Sequence, residues 1–485
     1  MNVLFVQSLC DISSPAKPLL TQQQIQFGIS YISSILKKHG HHTKLAILSR
    51  NSGKKNRSII NEFLKNFSPK LICFTAVATE YDFIADVAKF IKNNYPDIYL
   101  LIGGPHVSLN PQKVLLDNFD ASCVGEGEKP TLELVSQLQK GAPPSDIRNL
   151  WIKHGLEIEK NPPRPFVQDI DSLPFPDRQM WLQWIEDESG VKNSVLVSRG
   201  CPFLCTYCCN HALKKLASGS YVRFRSPDNV IEEIREIVTR FPATGEIFLE
   251  SEATNLNIEW ALHLCAELYA FNSTLSRPLS FGSNIRITPN ANLERLFAAF
   301  RKCNFHFINI GVESGSERVR REILKRDYSN MDIINTAKLA RDYGLKINFF
   351  NIIGFPGETV DDFKETIKIN RTCLPDCHYT SIFFPYPGTE LYFLCKDHGL
   401  LKEPLDTTME RKKAALNFPA FSKKQIQKNY IWFDYYVYKG FKPKYKILAV
   451  VLRSKFASKN YLNFAYRKLT TLSSFGYLKK ALKTY

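Results

Sequence analysis

Residues 194–215 read SVLVSRGCPFLCTYCCNHALKK, a short apolar segment that runs directly into a loop with four cysteines. Cys201, Cys205 and Cys208 follow the spacing CxxxCxxC, and Cys209 is adjacent to the last of them. A short apolar run bounded by turn residues is typical of a buried strand. The cysteines are therefore expected at the carboxyl end of a strand, where α/β proteins place their chemistry.

Three cysteines at this spacing are too few for a structural zinc site, which normally has four protein ligands. Cys209 is a poor fourth ligand, because a residue adjacent to Cys208 can seldom turn toward the same ion. Thiolates of this kind are the usual ligands of iron–sulfur clusters. Three ligands on a four-iron cluster would leave one iron open to an exchangeable small molecule, which favours a catalytic over a structural role.

Strand-like and helix-like segments alternate from residue 191 to about residue 400. Ser226 and Pro227 begin one of these helices as its N-cap and first residue. Six strand–helix units predict a partial, TIM-like (β/α)6 barrel with its site on the loops after the strands. The strand candidates are SVLVS (194–198), EIFLE (246–250), LSFGSNI (279–285), FHFINIGVE (305–313), KINFFNIIG (346–354) and YTSIFFP (379–385).

The first 140 residues show the same alternation of apolar strands and amphipathic helices. This pattern predicts a doubly wound, Rossmann-like parallel sheet whose ligands bind beyond the carboxyl ends of the strands. Those ends read TAVAT, GGPHVS and GEGE, and their small residues allow a ligand to approach the backbone. The strand candidates are NVLFVQ (2–7), HTKLAIL (42–48), KLICFTAV (70–77), IYLLIGG (98–104) and ASCVGEG (121–127).

The chain thus divides into an α/β domain over 1–140, a proline-rich linker over 141–190, a barrel over 191–400 and a basic region over 401–485. The linker is expected to carry a small hairpin at LWIKHGLEIEK. The last region holds 19 Lys and Arg against 4 Asp and Glu, whereas the first 400 residues have a net charge of only +2. Lysines interleaved with aromatic residues there predict a mainly helical segment that packs on the barrel, contacts a membrane surface peripherally or binds RNA.

The composition excludes several classes of protein. No run of 18 apolar residues occurs, so no membrane-spanning helix is expected, and the N-terminus MNVLFVQSLCD does not resemble a signal peptide. Twelve cysteines without a secretory signal indicate a reducing, cytoplasmic location. Cys373 and Cys377 are too few to predict a second metal site.

The stretch CPFLCTYC on the first loop of a six-unit barrel resembles the radical S-adenosylmethionine (SAM) enzymes. The likeness extends to INIGVESGSERVRREILKRDYS (308–329), NFFNIIGFPGETVDDFKETI (348–367) and FPYPGTEL (384–391). GGPHVSLNP, CVGEGE and DSLPFPDR resemble the cobalamin-binding branch of that superfamily, in which a doubly wound domain precedes the barrel. The resemblance covers roughly residues 1–400 and implies three cofactors: a 4Fe–4S cluster, SAM and cobalamin.

The resemblance implies that Cys201, Cys205 and Cys208 bind the 4Fe–4S cluster, whose fourth iron chelates the amino and carboxylate groups of SAM. Tyr207, just before the third cysteine, matches the residue that lies near the adenine. An anion and a cation are needed to bind the zwitterionic methionine group.

Three further positions carry the implied contacts to SAM. Glu250 and Glu252 in FLESEAT are the candidates for the methionine amino group, where many relatives have paired aspartates. Arg286 in SNIRI matches a position that often contacts the carboxylate, and Glu313 in GVESG matches the usual ribose partner. A solvated acidic strand end and a structural ion pair remain the alternatives for the two glutamates and for Arg286.

The cobalamin is expected at the strand ends of the first domain. The DxHxxG pattern of other cobalamin enzymes does not occur over 1–140, and His39, His41 and His42 lack its spacing. The branch typically does without that pattern, although a domain that has lost its cofactor and serves as a scaffold is an alternative. The expected contact residues are Thr75, Thr79, Gly103, Gly104, His106, Gly125, Glu126 and Gly127.

The resemblance implies an anaerobic, cobalamin-dependent methyltransferase that generates a 5′-deoxyadenosyl radical and methylates an unactivated carbon of a small or lipid-like molecule. A ferredoxin or flavodoxin would supply the electron, and nucleic acid is not an expected partner. Two alternatives stay open: a radical cyclase or oxidoreductase without methyl transfer, and a non-catalytic iron–sulfur protein for electron transfer or scaffolding.

Overall fold

The computed structural model of the protein describes residues 1–9, 17–50, 53–187, 190–289, 291–401, 405–407 and 410–457. The strands are β1 (Asn2–Leu9), β2 (His42–Ser49), β3 (Leu71–Thr75), β4 (Tyr99–Gly103), β5 (Ala121–Cys123), β6 (Leu150–His154), β7 (Glu157–Lys160), β8 (Lys192–Leu196), β9 (Ser198–Arg199), β10 (Arg223–Phe224), β11 (Glu246–Glu250), β12 (Ser280–Ile285), β13 (Phe305–Glu313), β14 (Lys346–Ile353) and β15 (Cys377–Ile382). The helices are α1 (Phe27–Lys38), α2 (Gly53–Phe67), α3 (Tyr81–Asn94), α4 (Pro105–Leu109), α5 (Pro111–Val114), α6 (Glu128–Gln139), α7 (Asn210–Leu213), α8 (Pro227–Arg240), α9 (Ile258–Ser273), α10 (Leu293–Lys302), α11 (Asn330–Asp342), α12 (Val360–Cys373), α13 (Glu390–Asp397), α14 (Lys423–Tyr438) and α15 (Lys444–Ala457).

The N-terminal domain is the predicted doubly wound sheet. Its five parallel strands follow the order β2-β1-β3-β4-β5. Both faces of β1 are buried, because Val3 and Phe5 pack into one apolar cluster while Leu4 and Val6 pack into another. The strand order reverses between β1 and β3, so a ligand crevice is expected at the carboxyl ends of these strands.

The segment predicted as a linker is well structured and forms the expected hairpin. Strands β6 and β7 add to the N-terminal sheet in antiparallel orientation beside β5. Farther along, Asp177 accepts from Ser33 Oγ at 2.6 Å and pairs with Lys37 on α1. The adjacent Arg178 donates to the Ser194 carbonyl oxygen on β8 at 2.6 Å. Two consecutive residues of the linker therefore connect it to both domains.

The second domain is an open parallel barrel of six strands in the order β8-β11-β12-β13-β14-β15. Its outward side chains, such as Ile347 and Phe349 of β14, are buried under helices. The inward side chains include Asn284, Asn309 and Asn348, whose amides form a hydrogen-bonded row across three strands with donor–acceptor distances of 3.0 Å. The fold class expected from the sequence is thus confirmed, and the inner face of the barrel is left open to a ligand.

Helices α14 and α15 pack against the barrel near β15 and α12. Phe433, Val437 and Tyr438 of α14 are buried there, which accounts for aromatic residues of the basic region without a membrane contact. Within the described residues no helix has the length and apolar character needed to span a bilayer. The predictions for 458–485 lie outside the described part of the chain.

Candidate active site between the barrel and the N-terminal domain

The cysteine loop lies at the carboxyl end of β8, as expected from the sequence. Val197 donates its backbone N–H to the Glu250 carbonyl oxygen at 2.9 Å, which aligns the start of the loop with the end of β11. Thr206 Oγ1 donates to the Ile323 carbonyl oxygen at 2.6 Å, and the Leu391 N–H donates to the Thr206 carbonyl oxygen at 3.0 Å. Segments after β13 and β15 therefore hold the loop in place.

Two arginines lie beside the second cysteine. Arg286 Nη1 is 3.2 Å from Cys205 Sγ, and its guanidinium stacks 3.6 Å from the Phe203 ring centroid. Arg326 Nη1 lies 4.0 Å from the same sulfur. Cys205 itself is buried, whereas Cys201 and Cys208 are half-buried. Two cations beside this sulfur complement the negative charge that a metal-bound thiolate carries.

Carboxylates lie near the other two cysteines. Burial, together with the charge of Glu252, raises the pKa of Glu250 to about 7. Burial raises the pKa of Cys201 to about 11, and the charge of Glu252 adds to this shift. Arg286, which contacts Cys205, and Glu252, whose charge acts on Cys201, supply the opposite charges that a zwitterion requires.

Cys209 interacts with Cys208 rather than adding a separate ligand. A hydrogen bond from the Cys209 thiol is the largest of the effects that lower the pKa of Cys208 to about 7, and it raises the pKa of Cys209 far above its ordinary value. Asn210 Nδ2 also donates to Cys208 Sγ at 3.6 Å. The pKa of Cys208 is thus lowered and that of Cys209 raised, which makes Cys208 the better metal ligand of the two.

Glu313 is held by a buried arginine that the sequence analysis did not assign. Arg326 Nη1 lies 3.0 Å from Glu313 Oε1 and donates to Tyr207 Oη at 2.8 Å. Glu313 has a left-handed backbone conformation, with φ of 61°. A Cβ at Gly311 would collide with Glu313 Oε1, so only glycine fits beneath this carboxylate.

The structure thus brings the cysteines, Tyr207, Glu250, Glu252, Arg286 and Glu313 to one end of the barrel. Arg326 belongs to the KRDYS stretch that carries part of the family resemblance, yet its position thirteen residues after the end of β13 follows no spacing that would reveal its contacts. Only the folded chain places its guanidinium against a side chain from the cysteine loop.

A cavity of about 410 Å³ separates this loop from the N-terminal domain. One wall carries six of the eight residues expected to contact cobalamin, and the facing wall belongs to the barrel. The residues of the first wall are Thr75, Gly103, Gly104, Gly125, Glu126 and Gly127, and those of the second include Leu196, Gly200, Leu213, Leu216 and Tyr221.

The other two expected residues lie outside this cavity. His106 is buried against Tyr81, with ring centroids 4.8 Å apart, and burial lowers the pKa of His106 to about 4. Thr79 is buried, and its carbonyl oxygen accepts from Arg50. Both side chains contribute to the N-terminal domain rather than to the cavity wall.

Four charged residues form an ion-pair cluster across the domain boundary. Arg199 pairs with Glu126 at 3.1 Å and with Glu128 at 2.6 Å, and Arg223 pairs with Glu126 at 2.8 Å. Arg199 also lies 5.0 Å from the Tyr31 ring centroid. This interdomain cluster connects the loop after β5 to the two short strands β9 and β10 that flank the cysteine loop.

The residues present fit the cofactors that the resemblance implies. The cysteine loop offers three thiol donors, and the two arginines beside Cys205 would offset part of the charge of an anionic iron–sulfur cluster. The cavity presents glycines on one wall and leucines on the other, so a flat macrocycle could approach the backbone closely. At Gly104, φ is 104° and a Cβ would lie 2.7 Å from the Ala76 carbonyl oxygen, so a larger residue would distort this wall.

Comparisons with known proteins match two parts of the chain to known families. The family model of the radical SAM superfamily matches residues 195–369, and the model of the B12 binding domain matches residues 20–135. The chain is 29% identical over 377 residues to the uncharacterized methyltransferase PH0819 of Pyrococcus horikoshii, covering 77% of this chain and 79% of that protein.

Two solved structures share the fold. The radical SAM methyltransferase TsrM of Kitasatospora setae, with cobalamin and a [4Fe-4S] cluster bound, has a TM-score of 0.65 at 16% identity and matches 83% of this chain and 76% of its own. The cobalamin-dependent SAM radical enzyme OxsB has a TM-score of 0.69 at 17% identity and matches 94% and 71%. The chain thus carries a radical SAM domain over residues 195–369, on which the cysteine loop lies, and a B12-binding domain over residues 20–135 that precedes it.

Proposed function

We propose that the protein is a cobalamin-dependent radical SAM methyltransferase that methylates a carbon atom of a small molecule. One observation carries this proposal: the predicted cobalamin loops line the same cavity as Gly200 and Leu213, which lie on either side of the four cysteines in the chain. Gly103 and Gly104 approach it from the N-terminal domain, while Gly200 and Tyr221 approach it from the barrel. A methyl carrier in this cavity would lie beside the place where SAM is activated.

Each cofactor would be held by residues of a different domain. When bound, the cluster supplies the electron that cleaves SAM, and cobalamin carries the methyl group. Cys201, Cys205 and Cys208 would hold the cluster, and the loops at 103–104 and 125–127 would hold the corrin. The two walls of the cavity would then exclude bulk water and oxygen from the reaction.

The polar residues of the barrel would orient SAM. Glu252 would bind the ammonium group of the methionine moiety, since its charge acts on Cys201, and Arg286 would bind the carboxylate group, since it contacts Cys205. Glu313 would accept hydrogen bonds from the ribose hydroxyl groups while Arg326 fixes its carboxylate. Tyr207 would lie near the adenine, as the family resemblance implies.

A low-potential protein such as a ferredoxin or flavodoxin would supply the electron. The described cysteines are free thiols, which is in keeping with a reducing and anaerobic environment. The proposed substrate is a small or lipid-like molecule, since the inner face of the barrel is open.

The test needs no knowledge of the substrate. Protein reconstituted anaerobically with iron, sulfide and a corrinoid is incubated with a strong reductant and SAM labelled in its methyl group. Recovery of the label on the corrinoid is expected. Formation of 5′-deoxyadenosine without labelled corrinoid would instead favour a cyclase or oxidoreductase, and a cluster whose spectrum does not respond to SAM would favour a non-catalytic protein.

A further inference from the structure

Arg411, in the segment that follows the barrel, lies at the end of the barrel where the cysteine loop is found. Its carbonyl oxygen accepts from the Ile382 N–H at 2.8 Å, and Ile382 is the last residue of β15. Arg411 has φ of 61°, a left-handed conformation that is costly for a residue with a Cβ. The backbone is thus held in an unfavourable conformation at the carboxyl end of a barrel strand.

One edge of the Arg411 guanidinium is anchored and the other is free. Its Nε donates to Tyr386 Oη at 2.7 Å and lies 3.2 Å from Glu410 Oε1. Tyr386 Oη in turn donates to Glu410 Oε1, so these three side chains form a closed set. The side chain of Arg411 is still 61% exposed, and no described residue accepts from its Nη1 or Nη2. Two N–H-bearing groups in a fixed fork are therefore available to an anion.

The surroundings of Arg411 connect it to the site. Burial lowers the pKa of Arg411, but Tyr386, Glu410 and, less strongly, Glu313 together raise this pKa above its ordinary value. The charge of Glu410 likewise acts on Glu80 of the N-terminal domain. Arg411 and Glu410 are therefore within electrostatic reach of Glu313 on the barrel and of Glu80 on the N-terminal domain, respectively.

The inner face of the barrel has an apolar surface on β14 and β15. The second of these strands ends at Ile382, the hydrogen-bond partner of Arg411. Phe350 and Tyr379 are register partners on β14 and β15, and their rings stack with centroids 5.0 Å apart. They are 37% and 54% exposed, although neighbouring outward residues such as Phe349 are fully buried. An exposed aromatic pair inside a barrel is suited to contact a ligand.

We propose that Arg411 binds an anionic group of the substrate, a carboxylate or a phosphoryl group, and that Phe350 and Tyr379 contact the apolar body of the same molecule. The inference rests on the proposed function, since it names the substrate class of that site. Arg286 lies beside Cys205 and is proposed to bind the SAM carboxylate, and Arg326 is paired with Glu313, which leaves Arg411 for the second reactant.

Binding can be tested without turnover. Protein loaded with cluster, hydroxocobalamin and SAM is titrated with phenylphosphonate, benzoate and the neutral benzamide, and binding is followed by saturation-transfer NMR. The first two probes distinguish a phosphoryl from a carboxylate ligand. We expect one or both anions to bind at least tenfold more tightly than benzamide, and Arg411→Gln to remove this preference.

Matched variants separate this site from other effects. Arg295→Gln removes an arginine of similar exposure that pairs with Glu259 on the outer helices, and it should keep the preference. Arg411→Lys should retain part of it, because the positive charge remains. Equal anion binding by wild type and Arg411→Gln would overturn the proposal, as would an Arg411→Gln variant whose affinity for SAM falls by the same factor. If methyl transfer itself fails while the anion preference depends on Arg411, the proposed function is wrong and the anion site stands.

Discussion

Arg199 and Glu128 lie 2.6 Å apart across the boundary between the two domains, and both side chains are largely buried, at 15% and 5% exposed. Arg199 follows the first barrel strand, whereas Glu128 begins the helix after β5. Burying both charges costs desolvation energy that offsets their attraction, so the pair mainly fixes the orientation of the two domains. Removing one partner is costly because the other charge then stays buried without its counter-charge. The loop of one proposed cofactor is thereby fixed relative to the loop of the other.

Glu128→Gln should destabilise the protein by about 3–5 kcal/mol, because it leaves the buried Arg199 with only part of its counter-charge. The measurement is the thermal midpoint, together with the corrinoid retained after gel filtration. The double variant Arg199→Met/Glu128→Leu should recover part of the loss, since neither charge is then left alone. Glu259→Gln, at the exposed pair with Arg295, should cost less than about 1 kcal/mol. Equal losses at the two sites would contradict the role assigned to the interdomain cluster.

Replacing single cysteines should show which of them bind the cluster and that the neighbouring Cys209 does not. Cys205→Ala is expected to abolish the 4Fe–4S cluster, whereas Cys209→Ala should leave iron and sulfide content nearly unchanged, because Cys209 donates to Cys208. Iron and sulfide analysis with absorbance spectroscopy measures both. A full four-iron cluster in Cys205→Ala would refute the ligand assignment.

Arg326→Gln should weaken SAM binding by about 10- to 100-fold. A loss of this size corresponds to the free energy of one charge-assisted hydrogen bond, about 1.5–3 kcal/mol. The variant removes the donor to both Tyr207 Oη and Glu313 Oε1. SAM affinity is measured by equilibrium binding to the oxidised cluster form. Arg321→Gln is the control, because Arg321 is 65% exposed and pairs only with the exposed Asp327. If both variants bind SAM equally, Arg326 has no positioning role.

Glu358 should make the protein less stable as the pH rises. Burial raises the pKa of Glu358 to about 8, and its Oε2 accepts from the Phe355 N–H at 3.0 Å. Between the ordinary carboxyl pKa of 4.5 and this value the folded state binds more protons than the unfolded state, so stability falls over that interval. Glu358→Gln should flatten the dependence of the thermal midpoint on pH from about 5 to 8, since the amide does not titrate. An unchanged slope would contradict the pKa shift.

The elements of the fold were predictable because their signals are local. A strand buried on both faces needs a continuous apolar run, and β1, β3 and β4 each contain one within a few residues of the predicted bounds. The hairpin of β6 and β7 was also expected, but nothing local to residues 150–160 shows that it extends the N-terminal sheet. That attachment depends on β5, which lies outside the hairpin and its turn.

The residues of the site likewise fall into those that local sequence predicts and those that it does not. Cys201, Cys205 and Cys208 could be assigned because three ligands of one group lie within eight residues. Arg326 and Arg199 could not, because each contacts partners that are distant in sequence: Arg326 reaches Tyr207, and Arg199 reaches Glu126 and Glu128. Glu126 was expected at the cobalamin, and the structure shows that it is also paired with Arg199 and Arg223 of the barrel.

The sequence by itself determined the two α/β domains, their order and the chemistry of the cysteine loop, because periodicity and ligand spacing are properties of short segments. Only the tertiary structure decided which charges meet at the domain boundary, that His106 points into the core and that Arg411 lies at the end of the barrel. These contacts join side chains from separate strands and domains, and the free energy of a buried charge depends on neighbours that no local pattern specifies.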